Sequence, residues 1–252
     1  MRTEVITLTS NPGVTLTTYL HDPSEAMPNV SIRPAVMICP GGAYRYCSDR
    51  EGEPIALAFL AAGYQAFVLR YSVVDQAAFP KPLNDAEAAL ELIRSRAEEW
   101  GVDPVKIAAC GFSAGGHLAA AVGTMGRVRP NALILAYPCI LDSMSAIMPV
   151  PIPSLERDVT DRTPPTFIFA TAADERVPVE NSLQFAAALG HAGVPFELHI
   201  FQNGGHGLAL ATPVTSVGEE KYIDKDAAQW FDLCLRWLEH HFGGMHLPLS
   251  GD

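Results

Sequence analysis

The stretch Gly111-Phe112-Ser113-Ala114-Gly115, continued by Gly116-His117, is a G-x-S-x-G pentapeptide. A short apolar run precedes it (Val105, Ile107, then Ala108, Ala109, Cys110), and an Ala-rich helical run from Leu118 to Val122 comes after it. Strand, tight turn and helix are the setting in which this pentapeptide lifts its serine hydroxyl clear of the backbone. Glycines two residues to either side leave room where side chains would collide. Taken alone, the pentapeptide also fits a Gly-rich turn whose serine merely caps a helix, so the rest of the chain must supply partners for Ser113.

Outward from that turn, the chain alternates strands with helices. Residues 3–9 and 14–20 are Thr/Val/Leu-rich and meet at Asn11-Pro12-Gly13, which predicts a β-hairpin. Residues 35–39 form a continuous apolar run, as in a strand covered on both faces. A helix over 52–62 stopped by Gly63, a strand over 65–70 and a helix over 83–100 ending at Gly101 come next. Beyond Ser113 the pattern gives strands at 132–136, 167–170 and 196–201, a helix over 179–190, and a last helix from about Glu219 to His241. Residues 138–165 are rich in Pro and Met without a period, a short wall segment rather than a second domain. Residues 243–252 read as a loose tail. The expected class is α/β: one domain over 1–242, with a mostly parallel, doubly wound sheet, an N-terminal antiparallel hairpin and helices on both faces.

Ligands of such sheets bind beyond the carboxyl ends of the strands. Ser113 comes after the 105–110 strand, Asp174 in Thr171-Ala172-Ala173-Asp174-Glu175 after the 167–170 strand, and His206 in Asn203-Gly204-Gly205-His206-Gly207 after the 196–201 strand. A serine hydroxyl is a poor nucleophile at neutral pH. An imidazole must take its proton, and a carboxylate must fix the imidazole tautomer and stabilise its charged form. Of the eight histidines, His206 alone sits in a glycine-flanked loop at a strand end. His21, His191, His199, His240, His241 and His246 suit surface or capping roles, and His117 packs beside the serine turn. Asp174 stands first as the acid, with Asp142 after the 132–136 strand and the adjacent Glu175 as alternatives; Asp158 and Asp161 read as surface. Backbone donors for an oxyanion are expected from Pro40-Gly41-Gly42-Ala43-Tyr44, which leaves the 35–39 strand, and from Ala114. Tyr44, Tyr46, Tyr71 and Phe112 are candidates to line the site, beside Gly41. The constellation calls for no metal and no cofactor.

Composition narrows the class of partner. The 252 residues are 48% hydrophobic and 18% charged, enough apolar content for one large core, and the net charge of −11 argues against nucleic acid or an anionic membrane. No stretch approaches the ~20 apolar residues of a membrane span, and Met1-Arg2-Thr3-Glu4-Val5 opens no secretory h-region. The five cysteines (Cys39, Cys47, Cys110, Cys139, Cys234) are odd in number and widely spaced, which suits reduced thiols and a cytoplasmic setting.

These residues resemble the α/β-hydrolase superfamily, and within it the small bacterial acetyl-xylan-esterase-like group related to hormone-sensitive-lipase-type esterases. The resemblance runs from Ile38-Cys39-Pro40-Gly41-Gly42 to the His206 loop and includes Glu51-Gly52-Glu53-Pro54, Val68-Leu69-Arg70-Tyr71, Phe79-Pro80-Lys81-Pro82-Leu83-Asn84-Asp85 and Asp174-Glu175-Arg176-Val177-Pro178. It implies Ser113 as nucleophile, Asp174 as acid and His206 as base. It also implies a cofactor-independent esterase of small soluble esters, with acetylated sugars or xylo-oligosaccharides as the expected substrates. An arylformamidase-like amide hydrolase or a generalist short-chain carboxylesterase is the enzymatic alternative, and a non-catalytic binding module the alternative from another class. The chain departs from the His-Gly-Gly-Gly loop of the relatives in having Pro40 for the His and Ala43 for the third glycine. Ala43 keeps its N–H but restricts φ.

Overall fold

Side chains alternate across a strand, and in this protein the alternation sorts two apolar layers. The computed structural model describes residues 1–8 and 13–244. Its strands are β1 (Arg2–Thr7), β2 (Thr15–Leu20), β3 (Arg33–Cys39), β4 (Gln65–Arg70), β5 (Val102–Phe112), β6 (Ala132–Ala136), β7 (Thr166–Thr171) and β8 (Phe196–Phe201). They form one sheet in the order β1-β2-β4-β3-β5-β6-β7-β8. β1 pairs antiparallel with β2, and β2 with β4; every other pairing is parallel. On β3, Ala35, Met37 and Cys39 enter one core and Val36 and Ile38 the other. On β5, Ile107 and Ala109 face the first core, while Ala108, Cys110 and Phe112 face the second.

Helices close both faces. α2 (Lys81–Ser95), α3 (Ala97–Trp100), α4 (Ala114–Thr124) and α5 (Glu180–His191) pack on the first core through Leu90, Trp100, Leu118 and Phe185. α1 (Glu53–Ala61) and α6 (Trp230–Phe242) pack on the second through Phe59 and Trp230. Each such fully buried side chain contributes roughly 1.5–3 kcal/mol relative to exposure. The first core packs beneath α4, the helix that Ser113 opens.

The chain departs from the sequence expectations in two helices and agrees with them over 138–165. The helix expected over 83–100 is interrupted at Arg96 (φ −105°, ψ 18°), whose guanidinium turns back over the Trp100 ring and pairs with Glu99. The last helix begins at Trp230, eleven residues after Glu219. Before it the chain makes short turns at Pro213–Thr215, Glu220–Tyr222 and Ala227–Gln229. Asp224 bears on the late start, because its carboxylate accepts from the N–H groups of Asp226 and Ala227 as a cap does, so that helical winding begins only after it and the residues from Glu219 to Ile223 stay outside α6. Residues 138–165 form no regular element beyond 3₁₀ turns at Asp142–Ile147 and Leu155–Asp158. Asn11-Pro12 of the hairpin turn, and 245–252 of the expected tail, lie outside the described residues.

Candidate active site

Ser113 occupies the turn between β5 and α4 with φ 53° and ψ −117°, a conformation that L-residues rarely adopt. The flanking glycines make the turn possible. A Cβ on Gly111 would stand 2.1 Å from the Gly115 carbonyl oxygen, and one on Gly115 would stand 2.0 Å from that of Cys39. The turn is therefore wedged against the end of β3, and Ser113 is held at the mouth of the sheet.

His206 and Asp174 arrive from the ends of β8 and β7. The Ser113 hydroxyl lies 2.8 Å from His206 Nε2, and His206 Nδ1 lies 2.7 Å from Asp174 Oδ2. A carboxylate accepts, so Nδ1 carries the ring proton and Nε2 faces the serine O–H as an acceptor. The Asp174 side chain is only 1% exposed. Its other oxygen accepts from the N–H groups of Arg176 and Val177 at 2.9 Å each, which fixes the carboxylate before it meets the imidazole. Of the alternative acids, Asp142 is exposed and pairs with Arg157 at 3.2 Å, and Glu175 stands on the rim of the cleft. Neither is bonded to His206. Cys139 Sγ is 3.9 Å from Ser113 Oγ, but burial pushes its thiol up to about 12, so it stays a neutral neighbour.

The loop after β3 runs beneath this group. Gly42 has φ 133°, and Ala43 and Tyr44 come next with φ 53° and 56°. A Cβ on Gly42 would collide with the Tyr46 carbonyl oxygen at 2.0 Å. Two successive left-handed L-residues cost on the order of 1–2 kcal/mol each. The Tyr44 ring offsets that cost: it is fully buried, edge-on to Tyr71 and Phe79, with its hydroxyl donating to His117 Nδ1 at 2.9 Å. His117 in turn donates from Nε2 to the Pro153 carbonyl at 3.0 Å, and burial lowers its pKa to about 4, so it is neutral. Among the described residues no backbone carbonyl accepts from the N–H groups of Gly42, Ala43 or Ala114. Ala114 opens α4, where first-turn N–H groups have no acceptor within the helix.

Several expected lining residues lie elsewhere. Tyr44 and Phe112 are fully buried, Tyr44 under the loop and Phe112 in the second core against Trp230. Tyr71 is buried too, donating its hydroxyl to the Pro40 carbonyl at 2.6 Å. Gly41 has its N–H committed to Glu51 Oε2 at 2.9 Å, so it is not offered to a substrate. Tyr46, 61% exposed, does stand on the cleft wall, with Ile147 and Met148 from the 138–165 segment. The cleft has a volume of about 1030 Å³ and holds Ser113 and His206 on its floor.

Two residues to which the sequence alone assigned no role, Glu51 and Tyr137, brace the group. Glu51 is buried, accepting from Gly41 N–H through Oε2 and from the Tyr137 hydroxyl at 2.6 Å through Oε1. The same hydroxyl accepts from Ala209 N–H at 2.9 Å, and the Tyr137 ring packs edge-on to His206 at 5.2 Å. Beside it, Arg50 donates to the carbonyls of Thr215 and Gly207 at 2.5 and 2.7 Å. The 49–51 turn thus ties the Gly41-Gly42 loop to the His206 loop. Tyr137 was open to discovery, because it is the first residue after β6 and so stands at the sheet's carboxyl edge.

The fold that carries this assembly is shared with known hydrolases. Residues 23–137 match the BD-FAE family and residues 142–244 the prolyl oligopeptidase family. An α/β-hydrolase enzyme from a Medee basin deep-sea metagenome library is 47% identical, with a TM-score of 0.91 over 95% of this chain and 97% of that one. An acetyl ester-xyloside bifunctional hydrolase from Caldicellulosiruptor lactoaceticus is 36% identical, with a TM-score of 0.80 over 93% and 90%. An acetylxylan esterase from Xylanibacter ruminicola is 30% identical over 71% of this chain and 42% of its own length. The chain spans less than half the length of the first curated relatives that it matches. The chain belongs to the α/β-hydrolase family. Among the described residues no helix is long and apolar enough to cross a membrane.

Proposed function

We propose that the protein hydrolyses small carboxylic esters through an acyl-enzyme on Ser113, with acetylated sugars or xylo-oligosaccharides as substrates. The observation that carries this reading is the hydrogen-bonded series from Ser113 Oγ to His206 to Asp174, at 2.8 and 2.7 Å, on the floor of an open cleft. His206 Nε2 takes the serine proton as Oγ attacks the ester carbonyl. The N–H groups of Gly42, Ala43 and Ala114 receive the negative charge that develops on the carbonyl oxygen. His206 then returns the proton to the departing alcohol, and repeats the sequence with water to free the acid. The cleft is far larger than an acetyl group, which leaves room for an extended alcohol portion. The names of the similar acetylxylan esterase and acetyl ester-xyloside hydrolase point the same way.

Acetate release from acetylated xylo-oligosaccharides, measured beside an activated aryl acetate with Ser113→Ala as blank, tests the reading. A higher kcat/KM on the sugar supports it. Turnover of the aryl ester alone keeps the serine chemistry and removes the sugar.

On this reading Glu51 positions the loop that carries Gly42 and Ala43. Glu51→Gln replaces one acceptor by a donor, and because Gly41 N–H and Tyr137 O–H bond to different oxygens, an amide in the same place leaves one of them facing an NH₂. The expected result is a fall in kcat of about 10², the cost of a donor displaced by an ångström or lost, with KM within about threefold. The rate is to be expressed per serine titrated by an organophosphate, so that unfolded protein does not count. An unchanged kcat per titrated site would leave Glu51 a purely structural residue.

A further inference from the structure

The cleft's charge is opposite to that of the chain. The protein carries 28 acidic and 17 basic side chains, yet its cleft is lined by four basic residues (Arg45, Arg50, Arg176, Lys221) and only two acidic ones (Glu51, Glu175). Glu51 is buried and committed to Gly41 and Tyr137. Lys221 is paired with Glu219, and Arg50 is spent on two carbonyls and the Tyr222 ring. Arg45 and Arg176 remain. Both are exposed, and among the described residues neither has a carboxylate within ion-pair distance. The Arg45 guanidinium makes one long contact, 3.5 Å to the Ile147 carbonyl. Arg45 comes from the loop that carries Gly42 and Ala43, and Arg176 from the loop that carries Asp174. The two cations therefore rise from the two loops that frame Ser113 and His206, and both line the cleft that holds them.

In a protein of net charge −11, solvent exposure alone gives two unpaired arginines no reason to gather at one opening. An anionic ligand does, because guanidinium is a planar fork matched to carboxylate and a cleft with an excess of one sign, here four basic side chains against two acidic, concentrates ligands of the other. Resting on the esterase reading above, we propose that the cleft selects esters whose alcohol portion bears a carboxylate, an acetylated oligosaccharide carrying a uronic acid residue, held by Arg45 and Arg176.

The test compares two acetylated xylo-oligosaccharides of equal length, one neutral and one bearing a uronic acid, with the wild-type protein and with Arg45→Gln/Arg176→Gln. The wild type is expected to prefer the acidic ester by about tenfold or more in kcat/KM at about 20 mM salt, a ratio that shrinks as salt is raised to about 0.5 M because exposed charges are screened. In the double variant the ratio of acidic to neutral rates should fall close to one. Inhibition of the wild type by the two deacetylated products gives a second measure that needs no variant, and the acidic product should bind about tenfold tighter at low salt. Equal rates on both esters, insensitive to salt, with equal inhibition by both products, would overturn the carboxylate proposal and leave the esterase reading standing. Release of acetate from neither, with an activated aryl acetate still turned over, would overturn the carboxylate proposal and remove the sugar while leaving the serine chemistry; no turnover of the aryl acetate either would overturn the esterase reading as well.

Discussion

Ser113→Ala is expected to lower kcat on any ester that the protein hydrolyses by about 10⁶, to the residual rate that bound backbone donors alone provide. The size reflects the way the group acts as one unit. Without Oγ there is no nucleophile for His206 to activate, and the carbonyl carbon can be attacked only by water that no serine-directed geometry aligns. The variant should fold normally. Ser113 Oγ has one short hydrogen bond, to His206 Nε2, and a 3.9 Å contact with Cys139 Sγ. Its loss costs about 1 kcal/mol. Alanine already holds a left-handed backbone at Ala43, with the same φ of 53° that Ser113 has. The informative pair of measurements is therefore kcat and melting temperature on one preparation. A collapse of kcat with a melting temperature within a few degrees of wild type assigns the loss to the hydroxyl. A variant retaining a tenth of the wild-type rate would remove Ser113 from the reaction.

What could be read from the sequence was what local rules determine. The strands at 65–70, 132–136 and 196–201 are bounded in the structure by the residues the apolar runs mark. Such runs between turn residues leave few other ways to bury their side chains. Ser113, Asp174 and His206 are legible because each stands just past the end of a strand, and a parallel sheet gathers those positions at one edge. The errors came from packing beyond that local range. Phe112 is next to Ser113 in sequence, yet strand alternation sends its ring to the opposite face, against Trp230. Tyr44 stands beside Ala43, but its left-handed backbone turns the ring down into the core. Glu51 lies ten residues from Gly41 and 86 from Tyr137, and nothing in either local pattern announces that one carboxylate serves both. The beginning of α6 was misplaced because Asp224, a single capping carboxylate, outweighs the helical spacing of its neighbours.

Asp174→Asn should lower kcat by about 10⁴ with little change in melting temperature. Two roles meet in this carboxylate, and the substitution separates them. Oδ1 accepts from Arg176 N–H and Val177 N–H and so shapes the loop after β7; an asparagine oxygen can keep both bonds. Oδ2 faces His206 Nδ1, and there asparagine must present its NH₂. A donor opposite Nδ1 drives the ring proton to Nε2, which then cannot accept from Ser113. Charge is lost at the same time, so the imidazolium formed during attack is no longer stabilised. Asp174→Ala removes both roles, and its loop is left with two unsatisfied N–H groups, one of them in a buried segment at Val177. That variant should match the asparagine variant in kcat and lose a further ~1–3 kcal/mol of stability. The two together decide the assignment. If Asp174→Asn keeps more than a tenth of the wild-type kcat, another carboxylate orients His206. Glu175, its exposed neighbour on the cleft rim, would be the one to replace next, since Asp142 is engaged by Arg157.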